Sequence, residues 1–122
     1  MLWMAAVTYA CLAPFDDLDD PGFELPHADK IAHFTFYLIA AVLGVLALRE
    51  RAGRRVGLNG ALWLAAVVLT AYGGVIEALQ AVLPTGRSPE WGDFLANSLG
   101  LLAAVASLKV AFHELGALNW PD

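Results

Sequence analysis

Three apolar segments of this chain each carry a cluster of ionisable and amide side chains at one end. An ionisable residue within a membrane span is energetically costly, faces the protein interior and marks a functional site by default. An imidazole between carboxylates can act as a general base or a nucleophile, and the same groups are acceptable zinc or manganese ligands. The clusters are Asp29, Lys30, His33 and Tyr37, then Glu77 and Gln80, then Asp93 and Asn97.

The first cluster follows helical spacing. Asp29, His33 and Tyr37 stand at positions i, i+4 and i+8, which places them on one stripe of a helix. Asp29 alone also suits the first turn of that helix, where a carboxylate offsets unpaired N–H groups. Capping does not explain His33, because it lies one turn deeper.

The second cluster lies inside its segment. Glu77 and Gln80 share a helix face, and Glu77 is about 10 Å from the end of the helix at 1.5 Å per residue. A buried carboxylate without a partner is costly, so Glu77 needs one, and His33 and Lys30 lie at matching depth. The alternative role for such a pair is purely structural, as an ion pair that holds the helices together.

The third cluster opens the last apolar segment. Asp93 and Asn97 stand at i and i+4, where they could equally serve as a helix cap and an interhelical hydrogen bond. The preceding loop carries Arg87 and Ser88. A guanidinium presents a planar fork of donors that suits phosphate or carboxylate, although Arg87 could instead pair with Glu90 or with lipid headgroups.

The composition indicates a membrane protein. The 122 residues are 59% hydrophobic and 16% charged, with a mean hydropathy of +0.62, whereas soluble domains carry about 45–50% apolar and about 25% charged residues. The length predicts a single domain over residues 1–122. Cys11 is the only cysteine, which excludes a disulfide framework. No basic stretch with interleaved aromatic residues indicates nucleic-acid binding.

The apolar segments predict an all-α, integral membrane four-helix bundle. About 20 helical residues cross the hydrocarbon core, and three segments reach that length. The first is weaker, because its roughly 14 residues extend only about 21 Å. The predicted spans are about 2–15, 30–48, 58–83 and 93–112.

The charges of the connections predict the orientation. Four arginines crowd the connection between the second and third spans, whereas the connection after the first span holds five acidic residues and has no lysine or arginine before Lys30. The positive-inside rule places the arginines in the cytoplasm. Both termini are then cytoplasmic, and the three polar clusters lie at the outer face. The arginines are Arg49, Arg51, Arg54 and Arg55, and the acidic residues are Asp16, Asp17, Asp19, Asp20 and Glu24.

The order and spacing of the polar residues resemble the VanZ-like family of small bacterial membrane proteins, over about residues 14–108. The resemblance implies a multi-pass protein of the bacterial inner membrane. The family is named for a member that confers low-level resistance to the glycopeptide teicoplanin, a phenotype that supplies no reaction mechanism. The matching residues are Asp29-Lys30-x-x-His33-Phe34-x-x-Tyr37, Gly73-x-x-x-Glu77-x-x-Gln80, Arg87-Ser88 and Asp93-x-x-x-Asn97-x-x-Gly100.

Two functional hypotheses involve a ligand at the outer leaflet. In the first, the site binds or modifies an amphiphilic anionic ligand, such as the pyrophosphate of a lipid-linked cell-wall precursor, or a glycopeptide. In the second, the protein is a membrane-embedded hydrolase or phosphoryl transferase that uses His33 with Glu77 and Asp93. The ligand-binding residues of the first hypothesis are Asp29, Lys30, Tyr37, Gln80, Arg87, Ser88 and Asn97, of which Lys30 and Arg87 hold the anion.

Two further hypotheses remain. A divalent metal could bind His33, Glu77, Asp93 and Asp29, although no compact ligand motif supports this, and no metal site or other cofactor is predicted. Alternatively, the polar residues could only fix helix register in a structural bundle. Membrane lipid is the expected partner, and a second copy of the chain could complete the site.

Overall fold

The described part of the chain forms four α-helices. A computed structural model describes residues 2–12, 27–84, 86, 88–114 and 120. The helices are α1 (Leu2–Leu12), α2 (Ala28–Ala52), α3 (Leu58–Val82) and α4 (Trp91–Glu114), and a 3-10 turn at Gly53–Arg55 joins α2 to α3. The predicted all-α class is confirmed.

Helices α2, α3 and α4 are each long and apolar enough to cross a membrane. The 25 residues of α2 extend about 37 Å, which exceeds the roughly 30 Å hydrocarbon core. Helix α2 therefore runs beyond its predicted span of 30–48 at both ends, so it also includes Asp29 and Arg51. Helix α4 similarly extends beyond its predicted span of 93–112, and α3 ends one residue before its predicted limit of 83.

The short helix α1 covers only part of its neighbours. Its 11 residues extend about 16 Å, and residues 13–15 of the predicted first span lie outside the described residues. The indole N–H of Trp3 donates to the Phe36 carbonyl at 3.3 Å. The Gln80 amide N–H donates to the Cys11 carbonyl at 2.8 Å. Helix α1 therefore lies against the first part of α2 and the last part of α3.

Helices α2 and α4 run parallel to each other, and α3 runs antiparallel to both. Lys30 pairs with Asp93 near the start of α2 and α4, and Arg49 lies over the Phe112 ring near the end of both helices. We call the end where α2 and α4 begin the polar end. The opposite end, where Arg49 and Arg51 close α2, is the arginine end.

Small residues bring α2 and α4 into close contact. A Cβ atom at Gly100 would collide with the carbonyl oxygen of Phe34, so the two backbones touch at this position. Ala41 and Ala104 are almost fully buried in the same core. Close approach through small residues is the usual means of packing helices in lipid. It brings the polar side chains at the start of α2 within bonding distance of α4.

Candidate functional site

A row of four polar side chains joins α2 to α4 at the polar end. The Lys30 ammonium donates to Oδ1 of Asp93 at 2.7 Å, and Oδ2 of Asp93 lies 3.5 Å from Nε2 of His33. On the other side of the ring, Nδ1 of His33 donates to Oδ1 of Asn97 at 3.0 Å. His33, Asp93 and Asn97 are all buried, with at most 6% of their surface exposed. We call these four side chains the polar row.

Parallel helices explain how the row is built. Lys30 and His33 lie one turn apart on α2, and Asp93 and Asn97 lie one turn apart on α4, so successive turns of the two helices meet in register. Gly92 makes room for the lysine. A Cβ atom at this position would lie 2.6 Å from Cε of Lys30, so a larger residue would displace the lysine side chain.

The hydrogen bonds of His33 determine its chemistry. An amide oxygen only accepts, so the bond to Asn97 requires a proton on Nδ1 of His33. The other ring nitrogen, Nε2, faces a carboxylate oxygen of Asp93, which is also an acceptor. The two acceptors therefore fix the orientation of the ring and leave Nε2 beside the Asp93 carboxylate, where a general acid or base would be placed.

Lys30 is surrounded by carboxylates. Its ammonium lies 2.6 Å from Asp29, 2.6 Å from Glu90 and 2.7 Å from Asp93. An ammonium has three N–H donors, so these contacts use all of them. The three carboxylates have the separation of a candidate metal cluster, because their oxygens lie within 4.8 Å of one another. In this structure the cation among them is Lys30, and the cluster is net negative.

Three oxygen atoms near the row lack a hydrogen-bond partner among the described residues. They belong to the Tyr37 hydroxyl, the Glu77 carboxylate and the Gln80 side-chain amide, and all three are buried. Glu77 lies within electrostatic range of His33 and Asp93. More than about 90% of buried polar groups in proteins are hydrogen-bonded. A concentration of unpartnered oxygens at one end of a bundle is therefore unusual.

A small cavity connects Tyr37 to the polar row. It has a volume of about 10 Å³, enough for one water molecule, and Tyr37 and Asn97 both line it. Gly73 provides part of this space, because a Cβ atom there would lie 3.0 Å from the Tyr37 hydroxyl. The cavity lies between α3 and α4 and extends the site beyond the row itself.

Five of the ten site residues named from the sequence come together here. Asp29, Lys30, His33, Asp93 and Asn97 form one bonded network. Their functional roles stay predictions.

Lys30 has other partners than the sequence suggested, and Gln80 and Ser88 lie outside the network. Lys30 pairs with Asp29, Glu90 and Asp93 rather than with Glu77, and Gln80 binds the backbone of α1. Ser88 is exposed, and Arg87 lies outside the described residues.

Two residues of the site were not assigned a role in it from the sequence. Glu90 pairs with Lys30, whereas the sequence suggested it only as a partner for Arg87. Gly92 provides the space for the lysine. Glu90 stands three residues before Asp93, one helical turn away, and this spacing was the available signal. The need for glycine at position 92 depends on contact between helices, which spacing within one helix does not reveal.

The fold and the site together define a class of protein. Three helices of membrane length surround buried ionisable side chains at one end. This is the arrangement of a multi-pass membrane protein with a polar site between its helices.

The chain belongs to the VanZ/LLP1 family, whose model matches residues 3–112. The match extends from α1 into the last turn of α4, and it confirms the VanZ-like resemblance. No curated protein and no solved structure matches the chain.

Proposed function

We propose that this VanZ-like protein binds the headgroup of an amphiphilic lipid at its polar end, at the outer leaflet of the bacterial inner membrane. The lipid-linked precursors of the cell wall are the ligand class that we favour. Binding of such a precursor would also link the protein to glycopeptide resistance of the teicoplanin type.

The orientation in this proposal follows from charge. Arg49, Arg51 and Arg55 lie at the arginine end, and the positive-inside rule assigns that end to the cytoplasm. In a Cys11→Ala background, a Ser88→Cys variant should react with a membrane-impermeant thiol reagent on intact cells. An Arg51→Cys variant should react only after lysis. The reverse labelling pattern would place the site in the cytoplasm.

The unpartnered oxygens of Tyr37, Glu77 and Gln80 are the observation that carries the proposal. A purely structural polar network would satisfy its own members, because a buried polar group without a partner costs about 1–3 kcal/mol. Glu77 and Gln80 offer acceptors, and Tyr37 offers a hydroxyl that can donate or accept. A ligand that presents hydroxyl or amino donors would complete these bonds.

The net negative charge of the polar end indicates which chemical groups the ligand should present. Lys30 already contacts three carboxylates, so it has no donor left for a phosphate. The hydroxyl and amino groups of a sugar headgroup suit this net negative end better than a bare anion does. Arg87, which precedes α4 in the sequence, is the residue that we assign to the phosphate of the same ligand.

A second candidate function rests on the polar row. Nε2 of His33 faces Asp93 at 3.5 Å, and Asn97 fixes the opposite side of the ring. This geometry suits proton transfer to a leaving group or from an attacking water molecule, in a hydrolase or phosphoryl transferase that uses Glu77 as the further carboxylate. A His33→Gln variant that still binds the lipid but does not turn it over would separate the two functions.

Thermal unfolding of the detergent-purified protein tests the binding proposal. A polyprenyl-pyrophosphate-linked sugar at a hundredfold excess over its Kd should stabilise the wild type by about 2.7 kcal/mol. This response should be lost in Glu77→Gln and retained in Glu50→Gln, which changes an exposed carboxylate on α2. If the wild type does not respond, this ligand class is wrong. Equal responses in wild type and Glu77→Gln would exclude Glu77 from the site.

A further inference from the structure

A second groove lies between α3 and α4 at the arginine end, away from the polar row. It has a volume of about 300 Å³. Trp63 and Leu102 on its sides are 73% and 63% exposed, so the groove faces the lipid. The groove is lined by Asn59, Leu62, Trp63, Ala66, Leu102, Val105 and Lys109.

The polar groups of this groove are confined to one end. Asn59 is the second residue of α3, and Lys109 lies five residues before the end of α4, so both are near the arginine end of the antiparallel helix pair. From Asn59 to Ala66 the groove runs about 10 Å toward the middle of the membrane, at 1.5 Å per residue. Its lining over that distance is apolar. The groove thus combines a polar entrance with an apolar floor.

The entrance attracts negative charge. Lys109 is exposed, and among the described residues it is the only charged one that lines the groove. None of the described side chains forms a salt bridge with it. The first turn of α3 beside Asn59 has no acidic residue and no side-chain cap, so its positive dipole end is not neutralised. A basic residue near a membrane surface attracts anionic lipid headgroups.

We propose that this groove binds an anionic phospholipid. The headgroup phosphate binds Lys109 and Asn59, and one acyl chain lies along Ala66 and Leu102. Charge complementarity at one end, combined with an apolar floor open to the bilayer, favours a phospholipid over a soluble anion or a second protein helix. This site is independent of the polar row and of the function proposed for it.

Thermal unfolding in detergent with added lipid tests whether the Lys109 charge binds the headgroup. Phosphatidylglycerol should raise the unfolding temperature of the wild type more than phosphatidylcholine does. Lys109→Gln should weaken the apparent affinity for phosphatidylglycerol about fivefold, because one lysine near a membrane surface contributes about that factor. Arg51→Gln, which removes an exposed charge on α2 at the same end, should leave the affinity unchanged. Equal losses in both variants, or none in Lys109→Gln, would overturn the proposal.

The apolar floor is tested separately. Ala66→Leu should fill the groove and weaken phosphatidylglycerol binding, whereas Val67→Leu should not, because Val67 is 60% exposed and does not line the groove. Stabilisation by glycerol 3-phosphate equal to that by phosphatidylglycerol would show a simple anion site and refute an acyl-chain site. A dimer that dissociates in Ala66→Leu while the lipid response stays unchanged would identify a second copy of the chain as the occupant instead.

Discussion

Nδ1 of His33 donates a hydrogen bond to Oδ1 of Asn97 across 3.0 Å, although 64 positions separate the two residues in the chain. The bond joins two parallel helices, fixes the ring orientation and leaves Nε2 facing Asp93. It therefore connects the packing of the bundle to the chemistry that its polar end can perform.

Replacing Asn97 should release the His33 ring from its fixed orientation. Asn97→Ala leaves the Nδ1–H of His33 buried without an acceptor, which should lower the free energy of unfolding by about 1–3 kcal/mol. Thermal unfolding in detergent measures the change. Ser98→Ala is the matched control, because among the described residues the Ser98 hydroxyl bonds only to the Phe94 carbonyl of its own helix. A loss no larger than that of the control would show that the bond contributes nothing to stability.

Gly100 should tolerate no side chain. Gly100→Ala places a Cβ atom against the Phe34 carbonyl and forces α2 and α4 apart, which should cost about 1–3 kcal/mol. Gly74→Ala meets nothing within 4 Å, and it should instead stabilise α3 by up to about 1 kcal/mol. Denaturant unfolding of both variants measures the contrast. Similar effects at the two positions would contradict the close contact between α2 and α4.

Replacing Tyr37 or Tyr72 with phenylalanine should change the stability of the protein in opposite directions. Tyr37→Phe removes a buried hydroxyl that has no partner among the described residues, so the ligand-free protein should gain about 1 kcal/mol and bind the lipid headgroup less well. Tyr72→Phe removes the contacts of a hydroxyl 2.5 Å from Thr8 and 3.3 Å from the Met4 carbonyl. It should lose about 1 kcal/mol. A loss of stability in Tyr37→Phe would argue against an unsatisfied ligand site.

Lys30 should be required for the stability of the folded protein, because its charge neutralises the neighbouring carboxylates. Lys30→Met leaves the buried Asp93 carboxylate beside Asp29 and Glu90 without a cation, and we expect a loss of about 2 kcal/mol at neutral pH. The loss should shrink in acid, because a protonated carboxyl group no longer needs a neutralising cation. Unfolding temperatures of wild type and variant at both pH values measure this difference.

The only other lysine provides the control for that experiment. Lys109→Met changes a residue without a salt bridge to any described side chain, so its small effect should not depend on pH. Added manganese or calcium tests the metal alternative, because removal of Lys30 leaves three carboxylates within 4.8 Å of one another. Rescue of Lys30→Met by either ion would show that the cluster can hold a divalent cation. An equal loss at both pH values would contradict the electrostatic role of Lys30.

Much of this protein follows from its sequence. Long apolar segments predicted the three membrane-length helices, because hydrocarbon leaves a buried backbone few alternatives to a helix. Helical spacing placed Asp29, His33 and Tyr37 on one stripe of α2, and Asp93 and Asn97 on one face of α4. The polar residues and their order also carried the family resemblance that the VanZ/LLP1 match confirms.

Only the tertiary structure decided which of these residues bond to one another. Spacing fixes the faces of a single helix, but the rotation and depth of neighbouring helices depend on packing, here on the contact of Gly100 with the Phe34 carbonyl. That contact places Lys30 beside Glu90 and Asp93, whereas the sequence suggested Lys30 as a partner for Glu77. It also aligns His33 with Asn97, because two parallel helices in close contact bring successive turns into register.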